Sequence, residues 1–228
     1  MTRRWDISLR TLLPAAHTER VLTRRETPAD VPAARAVIAA AFGKPDAPDP
    51  VEATLLDALR TCGAWLPELS FVAVDRQHRP YRQEEQQKQQ DQHARQNPRV
   101  RHGGHDQQGE RDRRDEVVGY VVCTRGHIDG VPVLGLGPIG VRPDLQRRGV
   151  GLALVHSVLG AADALGEPLV ALLGSPAYYR RFGFRTSSEL GILPPDPAWG
   201  EYFQVRALTS YEPSLRGTFR YAEPFDRV

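Results

Sequence analysis

The chain is poor in several things at once. Its 228 residues include two cysteines, Cys62 and Cys123. Two thiols give no disulfide framework, and both read as buried or half-buried thiols of a reducing compartment. No stretch approaches the ~18 uninterrupted apolar residues of a membrane-spanning helix. No Gly-Lys-Ser or Gly-Lys-Thr is present, which excludes a P-loop triphosphatase. Net charge is small: 30 Lys and Arg stand against 28 Asp and Glu, or +2 with neutral histidines. Ten of those cations and eight of those anions fall in residues 76–116, which leaves 20 of each elsewhere. A folded part without net charge argues against a nucleic-acid-binding surface. The expectation is a cytoplasmic protein with neither nucleic acid nor membrane as a partner.

Apolar residues are nearly missing from 76–116, a segment rich in Gln, Arg, Asp, Glu and His. Such a segment cannot bury enough surface to offset the entropy of ordering it. A hairpin turn takes about two to five residues, so the segment reads as a long disordered insertion at a hairpin tip. Its length costs little, because closure entropy grows only logarithmically. His102-Gly103-Gly104-His105, with His93 nearby, lacks the Cys or carboxylate partners of a metal site, and no metal is expected. Residues 1–20 read as a disordered leader. Thr2-Arg3-Arg4-Trp5 resembles a twin-arginine signal faintly, but Arg10 and Pro14 interrupt the apolar stretch that must follow. Residues 21–228 have the length for one core of ordinary size.

Within that span, strand and helix patterns alternate. Val21 to Arg25 reads as a first strand. Thr27 or Asp30 can cap a helix reaching Phe42, with Ala33, Val37, Ile38 and Ala41 inward and Gly43 as its stop. A second helix runs from Val51 to Arg60 with Leu55, Leu56 and Leu59 inward. Strand patterns at Leu69 to Val74 and Val117 to Cys123 flank the insertion. Val133 to Val141 reads as a fourth strand, made irregular by Gly135, Gly137 and Pro138, the residues of a bulge or kink. A third helix follows from Gly149 to Leu165, with Val150, Leu154, Val155, Val158, Leu159 and Leu165 inward. Leu169 to Leu173 is short and continuously apolar, as a buried strand should be. A short helix at Pro176 to Arg181 and closing strands at 184–186 and 202–208 complete the pattern.

Between the fourth strand and the third helix stands Gln146-Arg147-Arg148-Gly149-Val150-Gly151. The first N–H groups of a helix have no internal partner, and the helix dipole adds partial positive charge there. Gly149 and Gly151 carry no Cβ, so an anion can approach the main chain. Arg147 and Arg148 add side-chain charge. The ligand this predicts is a phosphorylated cofactor. Gly135-Leu136-Gly137-Pro138-Ile139-Gly140 also fits the dinucleotide fingerprint G-x-G-x-x-G, but that motif must open a helix, and Pro143 disfavours helix at Arg142.

The six residues resemble the Q/R-x-x-G-x-G/A signature of the GNAT acetyltransferase superfamily. Gly174-Ser175-Pro176-Ala177-Tyr178-Tyr179-Arg180-Arg181-Phe182-Gly183-Phe184 resembles its tyrosine-bearing helix and "RFGF" turn. The wording around both motifs, and Phe203 to Leu208 with Thr218 to Pro224, resembles the YhbS-like branch of N-acetyltransferases. The resemblance implies an α/β (α+β) GNAT fold: a mixed, mostly antiparallel sheet of about six to seven strands, splayed between strands 4 and 5 and flanked by about four helices. It implies acetyl-CoA as co-substrate. The backbone N–H of Ile139 would face the thioester carbonyl, and Gly140 and Val141 would run beside the pantetheine arm. N–H groups from Arg147 through Leu152 would hold the pyrophosphate. Tyr179 would be the general acid that protonates the departing thiolate.

The resemblance leaves the base open. Histone-type members carry a Glu where this chain has Gly135. His127 and Glu116 flank the third strand as alternatives; His127 equally fits a turn residue, and His156 fits a structural role. The acceptor, a small-molecule or protein amine, has no diagnostic pattern, although Asp46, Asp49, Glu52 and Asp57 are placed to attract a cation. Homodimers are frequent in the resembled family. A non-catalytic acyl-CoA-binding or regulatory domain on the same fold is the alternative function, and an interaction module built on the insertion is a third.

Overall fold

A computed structural model describes residues 21–43, 49–75 and 116–227. The leader, most of the loop after the first helix and almost all of the insertion lie outside the described residues, as do His93, His102 and His105. Strand β1 (Val21–Arg25) pairs antiparallel with β2 (Ser70–Asp75), which pairs antiparallel with β3 (Glu116–Ile128). β3 folds back on β4 (Val131–Val141) through Asp129 and Gly130, both at positive φ. Asp-Gly is the composition that such a two-residue hairpin turn selects. β4 then meets β5 (Leu169–Leu173) in parallel, and β5 continues to β8 (Phe203–Ala207) and β6 (Arg185–Thr186). β9 (Gly217–Arg220) pairs with the end of β3 and with β7 (Ile192–Leu193).

The sheet is therefore mixed and mostly antiparallel, as expected, with nine strands among the described residues against the six to seven expected. The added strands are β7 and β9, short pieces whose partners lie far away in sequence. β3 also runs five residues past Cys123, because β4 supplies ladder partners out to Ile128. His127 consequently sits in the strand opposite Pro132, and the turn falls on Asp129–Gly130.

Helices cover both faces. α1 (Val31–Phe42) follows a tight 3-10 turn at Pro28–Asp30, where Thr27 and Asp30 form a reciprocal capping box. α1 buries Ala34, Val37 and Ile38, so the inward stripe is turned by one position from Ala33 to Ala34. Gly43 ends it in an extended conformation rather than a left-handed one. α2 (Val51–Thr61) packs beside α1 and buries Leu55, Leu56 and Leu59. On the other face α3 (Val150–Ala164) sets Val150, Leu154, Val155, Val158 and Leu159 into the largest core cluster. Leu165 lies past the helix end and is exposed, against the expectation. The short α4 (Pro176–Tyr179) runs into a 3-10 turn at Arg180–Phe182.

Two polar knots tie helices to sheet. Glu26 accepts two hydrogen bonds from Arg60 of α2, at 2.5 and 2.8 Å, and one from Ser70 at 2.6 Å. Asp30 accepts from Arg24 at 2.6 and 2.9 Å and from the Thr27 N–H at 2.8 Å. Hydrogen bonding from Arg24, opposed by burial and helped by Thr27, lowers the Asp30 carboxyl to about 2. A depressed carboxyl contributes stability that is full above its unfolded pKa and is lost as pH falls through the folded one. We expect urea unfolding to show about 2 kcal/mol of stability lost between roughly pH 4 and 2, and Asp30→Asn to flatten that limb. An unchanged limb in the variant would remove this carboxylate as its source.

Candidate active site

β4 and β5 pair at Leu134 with Val170 and at Gly135 with Ala171, and their pairing ends there. On its other edge β4 stays on β3, with one extra β4 residue between Leu136, opposite Cys123, and Ile139, opposite Val121. That bulge falls at Gly137 and Pro138, joined by a cis peptide. Arg142 N–H donates to Val118 O on β3. Backbone groups alternate sides along a strand. Ile139 and Val141 therefore turn their N–H and C=O groups away from β3, toward the gap that β5 has left.

The chain after β4 makes a 3-10 turn at Pro143–Leu145 and then enters α3. Arg147 and Gly149 both take positive φ, 60° and 88°. Gly149 is the N-cap, and a Cβ there would meet nothing within 4 Å, so its face is open. The first intrahelical bond runs from Ala153 N–H to Gly149 O. The N–H groups before it have no acceptor within the helix, which is the standard anion cradle. Gln146 spends its side chain on the scaffold: Nε2 donates to Val141 O at 3.1 Å, pinning the loop to the strand.

A cleft of about 640 Å³ occupies this gap. It is lined by Ile139, Gly140, Val141, Gln146, Arg147, Gly149, Gly151, Leu152 and Tyr179, together with Tyr178, Arg181, Ala41 and Phe42. Arg148 does not line it, and the Val150 side chain is buried in the core. Glu116 and His127 lie at opposite ends of β3 and do not line it either. Glu116 is ion-paired with Arg142. Arg181, Tyr178 and Phe42 were not assigned as binding residues from sequence. Arg181 and Phe42 come from the RFGF turn and the end of α1, and nothing in their local sequence marks either as lining a cleft.

Glycines let the walls close. A Cβ on Gly140 would stand 2.8 Å from Ile38 Cδ1, so α1 rests directly on β4 there. A Cβ on Gly151 would stand 2.9 Å from the Tyr178 hydroxyl, which reaches across to α3. Arg181 lies over the Tyr178 ring at 5.1 Å and donates from Nε to Tyr178 O at 3.0 Å. Tyr179 is buried, edge-on to Tyr178 and Phe184 at 4.9 and 5.7 Å. Burial first, and Tyr178 second, push its phenol up to about 12. It is protonated at pH 7, and it lines the cleft.

The description of the acetyltransferase (GNAT) family matches residues 64–184. The chain belongs to that family. It is 32% identical over 121 residues to the uncharacterized N-acetyltransferase YhbS of Escherichia coli, covering 51% of this chain and 71% of the relative. The crystal structure of YhbS from E. coli in complex with CoA superposes with a TM-score of 0.67 at 25% identity, covering 91% of this chain and 93% of the other. A GNAT-family acetyltransferase from Brucella melitensis in complex with acetyl-CoA gives 0.59 at 26% identity, covering 90% and 98%. The chain is thus a YhbS-like GNAT protein. Among its described residues no helix is long and apolar enough to cross a membrane, and no group of three or more His, Cys, Asp or Glu could hold a metal ion.

The tightest point of this GNAT site is Gly174, where a Cβ would stand 2.4 Å from Tyr179 Cε2. Gly174→Ala must displace the ring from its pocket. We expect a loss of about 1–3 kcal/mol in denaturant unfolding, the usual cost of overpacking. A stability equal to that of the unaltered chain would mean the ring is not held there.

Proposed function

We propose that this protein is an acetyl-CoA-dependent N-acetyltransferase acting on a primary amine of a small molecule or protein. The observation that carries it is the cleft itself: a freed strand edge at one end, an open helix start with an arginine at the other, and a buried phenol between them. The room is there for the group, since a Cβ on Gly149 would meet open space. Acetyl-CoA supplies a thioester whose acetyl carbon forms the new bond to nitrogen while the C–S bond breaks.

Each part of the chain has one task in that reaction. The N–H groups from Arg147 to Leu152 and the Arg147 side chain hold the pyrophosphate. Gly140 leaves the β4 edge free of side-chain bulk, and Val141 pairs with the pantetheine amides as with an added strand. The Ile139 N–H meets the thioester oxygen as negative charge develops there, which is where a fixed donor helps most. Tyr179 donates to sulfur as the thiolate leaves. Arg181, held over Tyr178 beside the first turn of α3, adds a second cation to the phosphate end.

Calorimetric titration with acetyl-CoA, with dephospho-CoA and acetyl-pantetheine as controls, tests the binding half. We expect saturable binding that weakens as phosphates are removed. Arg147→Ala and Arg181→Ala should each weaken acetyl-CoA by about 10-fold, the worth of one charge-assisted contact, and leave acetyl-pantetheine unchanged. No binding by the folded protein would sink the proposal.

Turnover against a panel of amines tests the chemical half. Tyr179→Phe should cut kcat by about 10²–10⁴-fold at unchanged acetyl-CoA affinity. Equal turnover in the variant would remove Tyr179 as the acid. Binding without turnover by any form would instead leave a non-catalytic acyl-CoA-binding domain.

A further inference from the structure

One face of β4 is floored by glycine alone. Leu134, Leu136, Ile139 and Val141 turn toward α3 and pack on its core cluster. Gly135, Gly137 and Gly140 stand on the opposite face, toward α1 and the C-terminal segment. Other parts of the chain cover two of them closely. A Cβ on Gly135 would stand 2.6 Å from the Tyr221 ring, and one on Gly140 would stand 2.8 Å from Ile38 and 3.0 Å from Ala41 of α1. Gly137 lies between and is loosely covered. The nearest atoms to its Cβ place belong to the Phe225 ring, at 3.9 Å, and Gly137 alone of the three is half-buried rather than buried. Phe225 is half-buried too, and is held by the Tyr221 ring, stacked at 4.5 Å.

Across the fork stands Leu173. The register that pairs Leu134 with Val170 and Gly135 with Ala171 would set Gly137 beside Leu173, had the strands not parted. Leu172 packs toward α3, so Leu173 turns to the other face, with its partner Phe203 and with Tyr221. It is 48% exposed there. Beyond Gly140, α1 ends at Phe42, which lines the cleft and is 43% exposed. An apolar trough thus lies beside the fork, with Gly137 as floor and Phe225, Leu173 and Phe42 around it. It is also the α1-side mouth of the cleft. Gly149, Gly151 and Leu152 line the cleft from α3, and Ala41 and Phe42 line it from α1, on the other face of the sheet. With phosphate at the α3 end and the thioester in the fork, an acceptor meets the acetyl carbon from the α1 side, over Gly137.

We propose that this trough binds the acceptor, and that the acceptor is an arylalkylamine: a flat aromatic group joined to a primary amine by a short chain. The inference rests on the acetyl-transfer reading above and names its substrate class. A floor without a Cβ lets a flat group lie against the backbone. Aromatic rims favour a ring over an extended chain, because ring pairs attract beyond the area they bury. From Gly137 to Gly140 the strand spans at most about 10 Å, the depth one ring takes when it meets a second ring on each side. Covering Phe42, Leu173 and Phe225 also removes apolar surface from water. A polyamine or a lysine side chain would gain from a carboxylate, and among the described residues none lines the cleft. The atoms balance as in any acetyl transfer: nitrogen bonds to the acetyl carbon, the C–S pair leaves on sulfur, and the proton that nitrogen sheds matches the one sulfur takes up.

The test follows release of the CoA thiol at saturating acetyl-CoA, with phenethylamine, butylamine, spermidine and a lysine-containing peptide as acceptors. We expect kcat/KM for phenethylamine to exceed that for butylamine by about 10-fold or more, the worth of a ring pair and the apolar surface it covers. Phe225→Ala should cut that ratio by about 10-fold, chiefly through KM, while calorimetry shows the same affinity for acetyl-CoA. Its ring also supports Tyr221. Should Phe225→Ala fail to fold, Leu173→Ala at its exposed site should cut the ratio by about 3-fold. Equal kcat/KM for the two amines, a ratio that the variants leave unmoved, a preference for spermidine or the peptide, or turnover of none of the four would overturn the inference. If acetyl-CoA does not bind, the acetyl-transfer reading falls and this one with it; acetyl-CoA bound and a different amine acetylated sinks this one alone.

Discussion

Strands β4 and β5 share two residue pairs and then diverge. An interior strand that loses a neighbour bares its N–H and C=O groups, and a buried one left unmet costs about 1–3 kcal/mol. The chain answers one of these groups with its own side chain. Gln146 covers the Val141 carbonyl. The Ile139 and Val141 N–H groups are left facing the cleft, where a ligand amide or carbonyl can take the place of the missing strand. Affinity and fold thus draw on the same unpaired edge.

The fork is held open by wedges rather than by empty space. Ile38 of α1 presses on Gly140, Tyr221 on Gly135 and Tyr179 on Gly174. At each point a neighbouring side chain takes the volume that a Cβ would claim. Close packing of this kind resists collapse, because a void cannot be gained or lost without moving several side chains. On the β3 side nothing is given up: pairing continues on both sides of the β4 bulge. The bulge lets one edge of β4 stay in the sheet while the other leaves it.

How much of this can be read in the sequence depends on how local its cause is. The glycine-rich start of α3 is local. Two glycines and two arginines ahead of an apolar helix pattern carry their reason within six residues, and α3 begins there. The irregular fourth strand is local too, since Gly135, Gly137 and Pro138 are poor strand residues wherever they stand. β5 is legible to the residue because a short, fully apolar run has few other uses. β7 and β9 are not, because their ladders join segments of two and four residues to partners far along the chain. The same distance hides Tyr221. Nothing near position 221 says that its ring will lie over Gly135. Arg181 and Phe42 fall in the same class, since only the tertiary fold brings the RFGF turn and the end of α1 to one cleft. The family could be read because its two motifs are themselves local and stand in order.

The charge of the cleft bears on what sets the pH dependence under acetyl transfer. Its titratable lining consists of Tyr178, Tyr179, Arg147 and Arg181. Burial raises both phenols, so neither changes charge near neutrality. No carboxylate or imidazole is among the described residues that line it. Glu116 is committed to Arg142, and His127 is on the far end of its strand. In the proposed reaction the described lining therefore offers phenols that stay protonated near neutrality. An amine attacks only as its neutral form, so the proton that must leave first is the acceptor's own. Under the proposed acetyl transfer, the rising limb of the rate with pH then follows the acidity of the amine rather than that of a described lining side chain.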